Sequence, residues 1–143
     1  MRDERRRWMA VLARADAGAL EAALSAEARP VWTVLRGPEV GMVMVRGRIG
    51  GGGGPFNLGE MTVTRCAVQT ENGIVGHAYV AGRAPRHAEL AAAADALMQD
   101  ERWRATLEPV IASFAAAQQQ ARETVAAKAA ATRVQFFTMR TMR

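Results

Sequence analysis

The chain has very few of the residues that usually build metal and redox sites. Its single cysteine, Cys66, excludes an internal disulfide and any cysteine-based zinc site. It has two histidines, His77 and His87, and His77 has no acidic neighbour in the sequence. The sequence shows no Ser-His-Asp set, redox pair or carboxylate pair. We therefore expect neither a catalytic residue nor a metal site in this chain.

Long apolar runs are also absent. No stretch reaches the roughly 18 residues that a membrane-spanning helix needs. Near the N-terminus, Asp3 and Glu4 interrupt the positive charge that would begin a secretion signal. We expect a cytoplasmic protein without a membrane partner.

Lysine is almost missing, so arginine carries the positive charge. The formal net charge is +5 at pH 7, and Lys128 is the single lysine. A nucleic-acid interface needs its cations gathered on one face. Here the arginines are spread along the chain, and we expect no nucleic-acid partner.

The remaining pattern predicts one α+β domain over residues 1–131, which begins with two helices. Apolar residues at helical spacing predict the first helix over Arg5–Ala15. Asp16 is a suitable N-cap for a second helix, Ala17–Glu27, which Pro30 would end.

Four strand-like segments follow the helices. Gly37-Pro38 predicts a turn between the first two, and Asn72-Gly73 predicts a tight hairpin between the last two. The sequence thus predicts a four-stranded antiparallel meander with the N-terminal and C-terminal helices on one face. The predicted strands are Val31–Leu35, Gly41–Ile49, Glu60–Thr70 and Ile74–Gly82.

The C-terminal part predicts helices again. Pro85 is placed to begin one helix, and apolar residues from Trp103 to Phe114 mark one face of the next. After Phe114 the helix propensity stays high but the apolar face weakens. A helix that continues past its own core usually lies against another surface.

The tail, residues 132–143, is too short to form a core of its own, although it is apolar. Two readings stay open. The tail is a docking site for another protein, or it folds back onto its own domain. Its candidate partner-binding residues are Val134, Phe136, Phe137 and Met139.

A run of five glycines, Gly50–Gly54, separates the second and third predicted strands. Glycine lets backbone N–H groups converge on an anion, and Arg46, Arg48 and Arg65 flank the run. The spacing matches neither the P-loop nor the dinucleotide-binding fingerprint. An anion or substrate contact and a plain mobile connector therefore both remain open.

His87 and Glu89 begin the helix that Pro85 introduces. Residues two apart do not share a helix face, so they do not form the two-histidine arrangement of a zinc protease. We interpret them as a structural polar cluster near the helix start, where a carboxylate is favourable.

Short motifs in this order resemble the PhnG family, the G subunit of the carbon–phosphorus lyase core complex of bacterial phosphonate catabolism. Two departures are Gln135, where an acid is expected, and a glycine run longer than usual. The motifs are Arg7–Ala13, Arg48–Gly51, Gly59–Cys66, Gly82-Arg83, His87–Leu90, Asp95–Gln99 and Thr132–Met139.

The resemblance implies a subunit that works with the H, I and J subunits, chiefly the I subunit. Together with an ATP-binding subunit, such a complex converts ATP and a phosphonate, for example methylphosphonate, to a ribose 1-phosphonate 5-triphosphate and adenine. The chain would bind no cofactor itself. ATP is a substrate of the complex, and an iron–sulfur cluster with S-adenosylmethionine belongs to the J subunit.

Two hypotheses follow from the resemblance. In the first, the chain is a non-catalytic subunit whose C-terminal helix and tail dock on the I subunit, or on a second copy when the chain is isolated. In the second, the chain contributes triphosphate contacts to a composite transferase site. The residues of that site would be Arg46, Arg48, Gly50, Gly51, Arg65 and Arg83.

Overall fold

A computed structural model describes residues 2–25 and 30–136, which form an α+β fold. The predicted class is therefore confirmed, and the predicted end of the second helix at Glu27 lies outside the described residues. The elements are α1 (Arg2–Leu12), α2 (Ala17–Ser25), β1 (Trp32–Arg48), β2 (Pro55–Thr70), β3 (Val75–Ala81), α3 (Pro85–Met98) and α4 (Glu101–Ala131).

The described sheet has three antiparallel strands in the order β1-β2-β3, so the prediction of four strands is wrong. The segments expected as the first two strands are one strand, β1, which continues through Gly37-Pro38. Its pairing with β2 shifts register on both sides of Arg36, so bulges absorb the residues expected to turn. Pro38 is tolerated because β1 is an edge strand.

The turn between β2 and β3 forms as predicted at Asn72-Gly73. Gly73 has a φ of +81°, in the left-handed region that favours glycine. Its N–H donates a 2.9 Å hydrogen bond to the carbonyl of Thr70. This closed turn sets the antiparallel pairing of β3 with β2.

Helix α3 lies at the centre of the core. It packs on one face of β2 and β3, while α1, α2 and α4 pack around it. The backbone of β3 approaches it so closely that a Cβ added at Gly76 would lie 2.0 Å from the carbonyl oxygen of Ala92. The small side chains of α3 permit this approach, and each of these alanines is at most 2% exposed: Ala88, Ala91, Ala92, Ala93, Ala94 and Ala96.

Strands β1 and β2 continue well past β3. Pairing of β3 with β2 ends where Ala81 lies opposite Val63, whereas β1 and β2 stay paired as far as Arg48 and Pro55. We call this two-stranded extension, Met42–Arg48 with Pro55–Thr62, the β1–β2 arm. At about 3.3 Å per residue, its β1 segment is roughly 23 Å long.

Helix α4 also extends past the core. Asp100 caps its start by accepting a hydrogen bond from the N–H of Arg102. Farther along, the amide of Gln118 donates to the carbonyl of Val11 at 2.9 Å. From Gln119 to Ala131 the side chains are exposed, a length of about 20 Å at 1.5 Å per residue.

Candidate functional site

The residues predicted to bind an anion do not lie together. Arg46 and Arg48 are near the end of the β1–β2 arm, beside Gly50 and Gly51 in the loop that joins its strands. Asn57 on β2 lies opposite Arg46, and Arg65 is eight residues farther along β2. This separation is roughly 26 Å along the strand, so one small ligand cannot contact both positions.

The glycine loop satisfies part of its own hydrogen bonding. Gly50 and Gly51 have φ values of +59° and +79°, and the N–H of Gly53 donates to the carbonyl of Ile49 at 2.7 Å. The guanidinium of Arg48 donates to the carbonyl of Gly53 at 3.2 Å. The loop is therefore a compact turn with one arginine folded over it.

The charge of Arg65 is paired within the sheet. Its guanidinium lies 2.8 Å from the carboxylate of Glu39 on β1, and Arg36 approaches the same carboxylate at 3.2 Å. Hydrogen bonds from Arg65 and then Arg36 hold the pKa of Glu39 below its ordinary value. The bond to Glu39, followed by one to Tyr79, raises the pKa of Arg65.

A depression of about 210 Å³ lies beside this ion pair, on the side of the sheet away from α3. Arg65 and Glu39 form its charged part. Arg46, Arg48 and Arg83 do not line it, and Arg83 is exposed in the turn before α3. Its lining residues are Glu39, Val40, Gly41, Met42, Val43, Val63, Arg65 and Tyr79.

His87 and Glu89 contact other elements rather than each other. Nε2 of His87 lies 2.8 Å from the carbonyl oxygen of Leu12, at the end of α1. The carboxylate of Glu89 accepts a 3.0 Å hydrogen bond from the indole N–H of Trp32 on β1. The two side chains therefore connect α3 to α1 and β1.

Asp95 organises the interior, and the sequence reading did not single it out. Its side chain is fully buried, yet three groups donate to it. The guanidinium of Arg5 reaches it at 2.7 Å, the indole N–H of Trp8 at 2.9 Å and the backbone N–H of His77 at 2.9 Å. The sequence signal is one acid inside an alanine-rich helix, together with an arginine and a tryptophan one turn apart on α1.

The predicted partner-binding tail is described only as far as Phe136. Val134 is 68% exposed and Phe136 is 92% exposed. Phe137 and Met139 lie outside the described residues. The described part of the tail therefore presents apolar side chains to solvent, and its role in binding a partner stays a prediction.

Within residues 2–25 and 30–136, no group of three or more histidine, cysteine or acidic residues is arranged to hold a metal ion. In the same part of the chain, no helix combines the length and apolar character needed to cross a membrane.

Comparison with known proteins gives two findings. The profile of the family described as "Phosphonate metabolism protein PhnG" matches residues 3–141. The chain is also similar to the Alpha-D-ribose 1-methylphosphonate 5-triphosphate synthase subunit PhnG of Rhizobium meliloti (strain 1021). The two are 47% identical over 137 residues, which cover 95% of this chain and 88% of that protein.

Because the family profile matches nearly the whole length, this chain falls in the class of phosphonate metabolism proteins. The chain belongs to the PhnG family, as the short motifs along the sequence predicted.

Proposed function

We propose that this chain is a subunit of a complex that converts ATP and a phosphonate, such as methylphosphonate, to a ribose 1-phosphonate 5-triphosphate and adenine. The observation that carries the proposal is the 47% identity with a PhnG subunit of the synthase over 95% of this chain. The complex works in the cytoplasm in phosphonate catabolism. This chain contributes assembly contacts and no catalytic residue.

The proposed partners are the H, I and J subunits, chiefly the I subunit. The chain holds no cofactor of its own, ATP is substrate, and the iron–sulfur cluster with S-adenosylmethionine belongs to the J subunit. An assembly role is supported by apolar side chains left in water, such as Phe136 at 92% exposure. A monomer gains nothing by exposing them.

Co-expression with the H, I and J subunits, followed by size-exclusion chromatography with light scattering, tests the proposal. Wild-type chain should elute with them in one large particle. Deletion of residues 132–143, or Phe136→Ala with Phe137→Ala, should release the chain as a small species. Val31→Ala is the matched control, because Val31 is 58% exposed just before β1, outside the C-terminal helix and the tail.

If wild-type chain elutes alone while its partners form their own particle, the subunit role is wrong. If the chain co-elutes but the tail variants do so equally well, the subunit role stands and the tail is not the docking element.

A second candidate function is supported by the end of the β1–β2 arm, where Arg46 and Arg48 lie beside the positive-φ glycines Gly50 and Gly51. There the chain would contact the substrate triphosphate in a site completed by a partner. Arg48→Ala should then leave the particle intact and abolish turnover, whereas Arg14→Ala, at an exposed position just after α1, should change neither. Unchanged turnover in Arg48→Ala would remove the main support for this function.

A further inference from the structure

We propose that the β1–β2 arm inserts into an apolar groove of a partner protein whose rim carries carboxylates. The inference rests on the proposed function, because the partner is another subunit of the same complex. It adds a docking element that is separate from the C-terminal tail.

The first observation is that, among the described residues, the two strands of the arm pair with each other and with no third strand. Beyond Val63 no β3 residue pairs with β2, and β1 is the edge of the described sheet. The carbonyl of Thr62, at the base of the arm, accepts a 2.8 Å hydrogen bond from the N–H of Gly82. Beyond that point, neither backbone edge of the arm pairs with another described strand. A two-stranded ribbon is only marginally stable in water, so a protein that keeps one of this length stabilises it through another contact.

The second observation is that both faces of the arm are apolar. Successive residues of a strand point to opposite faces, yet Met42, Val43 and Met44 are 65%, 38% and 53% exposed. Near the end of the arm, Ile49 and Leu58 are 71% and 66% exposed. A two-stranded ribbon that packs on the surface of a neighbouring protein needs only one apolar face. Two apolar faces fit insertion between walls on both sides.

Exposed apolar side chains are concentrated on the arm and its loop. Seven large apolar residues there are each between 38% and 71% exposed, whereas a monomer usually scatters such residues singly over its surface. Such a concentration is typical of a protein–protein contact. The seven residues are Met42, Val43, Met44, Ile49, Phe56, Leu58 and Met61.

The third observation concerns charge. The charged residues of the arm are Arg46, Arg48 and Glu60, and Glu60 lies farther from the loop, opposite Met44. Neither arginine forms an ion pair with a described residue of the chain. Two guanidinium groups that have no ion-pair partner among the described residues, beside an apolar tip, are complementary to a groove bordered by carboxylates.

The same charges argue against a second copy as the occupant. The chain carries a formal net charge of +5, so arm-to-arm pairing would bring basic surfaces together. Like charges across an interface cost free energy. An acidic, apolar groove on a different subunit meets both requirements.

Hydrogen–deuterium exchange measured on the isolated chain and on the co-purified complex tests the inference directly. In the isolated chain, amides of residues 42–61 should exchange quickly, because the ribbon is exposed. In the complex their exchange rates should fall by at least about tenfold, because insertion buries both edges of the arm.

Two pairs of substitutions locate the contact. Ile49→Ser with Leu58→Ser should weaken assembly roughly tenfold or more, as loss of central apolar contacts does. Val31→Ser with Leu35→Ser is the matched control, since these side chains are 58% and 53% exposed and lie outside both the arm and the C-terminal helix. The control should assemble with wild-type affinity.

Charge reversal tests the carboxylate rim. Arg46→Glu with Arg48→Glu should weaken assembly by about tenfold at low salt, and by less at high salt because screening weakens exposed charge pairs. Arg2→Glu with Arg6→Glu makes the same change of net charge on exposed positions of α1. This control should assemble normally.

The outcomes separate the inference from the proposed function. If wild-type chain does not assemble, the proposed function fails and the inference fails with it. If it assembles while residues 42–61 still exchange quickly, or while both arm variants bind normally, only the inference is overturned. Two other results also overturn it: protection of the arm by self-association, and loss of turnover in Arg46→Glu with Arg48→Glu without loss of assembly.

Discussion

The carboxylate of Asp95, on α3, accepts a 2.9 Å hydrogen bond from the backbone N–H of His77, on β3. Since β3 is the last strand of the described sheet, this N–H has no strand partner. Two residues farther back, the carbonyl of Val75 accepts hydrogen bonds from Arg5 at 3.4 Å and from Gln99 at 3.0 Å. Side chains of α1, of α3 and of the residue after α3 thus cover the edge of β3, whereas no other described strand covers the edges of the β1–β2 arm.

Asp95→Ala should lower the free energy of unfolding by about 3–5 kcal/mol, because it leaves buried donors without an acceptor. Urea unfolding followed by circular dichroism measures the change. Asp3→Ala is the control, since Asp3 is exposed in the first turn of α1. A loss below about 1 kcal/mol would contradict the central role of this carboxylate. If Asp95→Ala does not fold, Trp8→Phe removes one donor and should cost about 1–2 kcal/mol.

Gly76→Ala should destabilise the protein by about 3 kcal/mol or more, because overpacking at a close backbone contact is costly. An added Cβ would lie 2.0 Å from the carbonyl oxygen of Ala92 and 2.5 Å from the N of Ala96. Gly41→Ala is the matched control, since nothing lies within 4 Å of its added Cβ. It should be neutral or stabilise slightly. Equal midpoints of thermal unfolding for the two variants would disprove the close packing of β3 on α3.

Asp100→Asn should make stability less sensitive to acid. A hydrogen bond from the Arg102 side chain, followed by one from its backbone N–H, lowers the pKa of Asp100 from 3.8 to about 2. As the pH falls, the unfolded chain therefore binds the proton first, and this carboxylate's contribution is lost between about pH 4 and pH 2. Asparagine keeps the helix cap but not the charge.

Urea unfolding at a series of pH values between 2 and 6 checks this prediction. The unfolding free energy of Asp100→Asn should fall less steeply below about pH 4 than that of the wild type. Arg102→Ala removes the donor that lowers the pKa of Asp100 and should make the slope less steep in the same way. Equal slopes for all three proteins would mean that Asp100 is not held in its ionised form.

Cys66 should react slowly with a maleimide while the protein is folded. Its side chain is 3% exposed, and burial, followed by the nearby charge of Glu89, raises the pKa of its thiol. The reactive species is the thiolate, so labelling at pH 8 should require unfolding. A Leu58→Cys variant places a second thiol on the exposed arm and should label faster by on the order of a hundredfold. Similar rates at both positions would show that the core opens readily.

The sequence reading placed local features correctly and missed long-range ones. Pro85 begins α3 and Asn72-Gly73 makes the predicted turn, because both depend on residues adjacent in the chain. Gly37-Pro38 misled the prediction because proline and glycine mark a turn only when no neighbouring strand holds them extended. Here pairing with β2 holds both in one edge strand.

The candidate site shows the same difference between local features, which the sequence predicted, and long-range features, which it did not. The glycine run and its two nearest arginines are close in sequence and lie together on the arm. Arg65 and Arg83 were grouped with them by charge alone, yet Arg65 is paired with Glu39 across the sheet. The segment Gly41–Ile49 was predicted to be a strand, and most of its side chains are exposed. Its exposure depends on where β3 ends, which no local pattern reveals.

The sequence by itself determined the α+β class, the starts of α2 and α3, the β2–β3 turn and, through motifs spread from Arg7 to Met139, membership of the PhnG family. These depend on local backbone preferences and on residue identity. Only the tertiary structure decided that β1 is one strand, that Asp95 collects donors from α1 and β3, and that the β1–β2 arm leaves the core. These depend on contacts between residues far apart in the chain, whose free energies exceed local preferences.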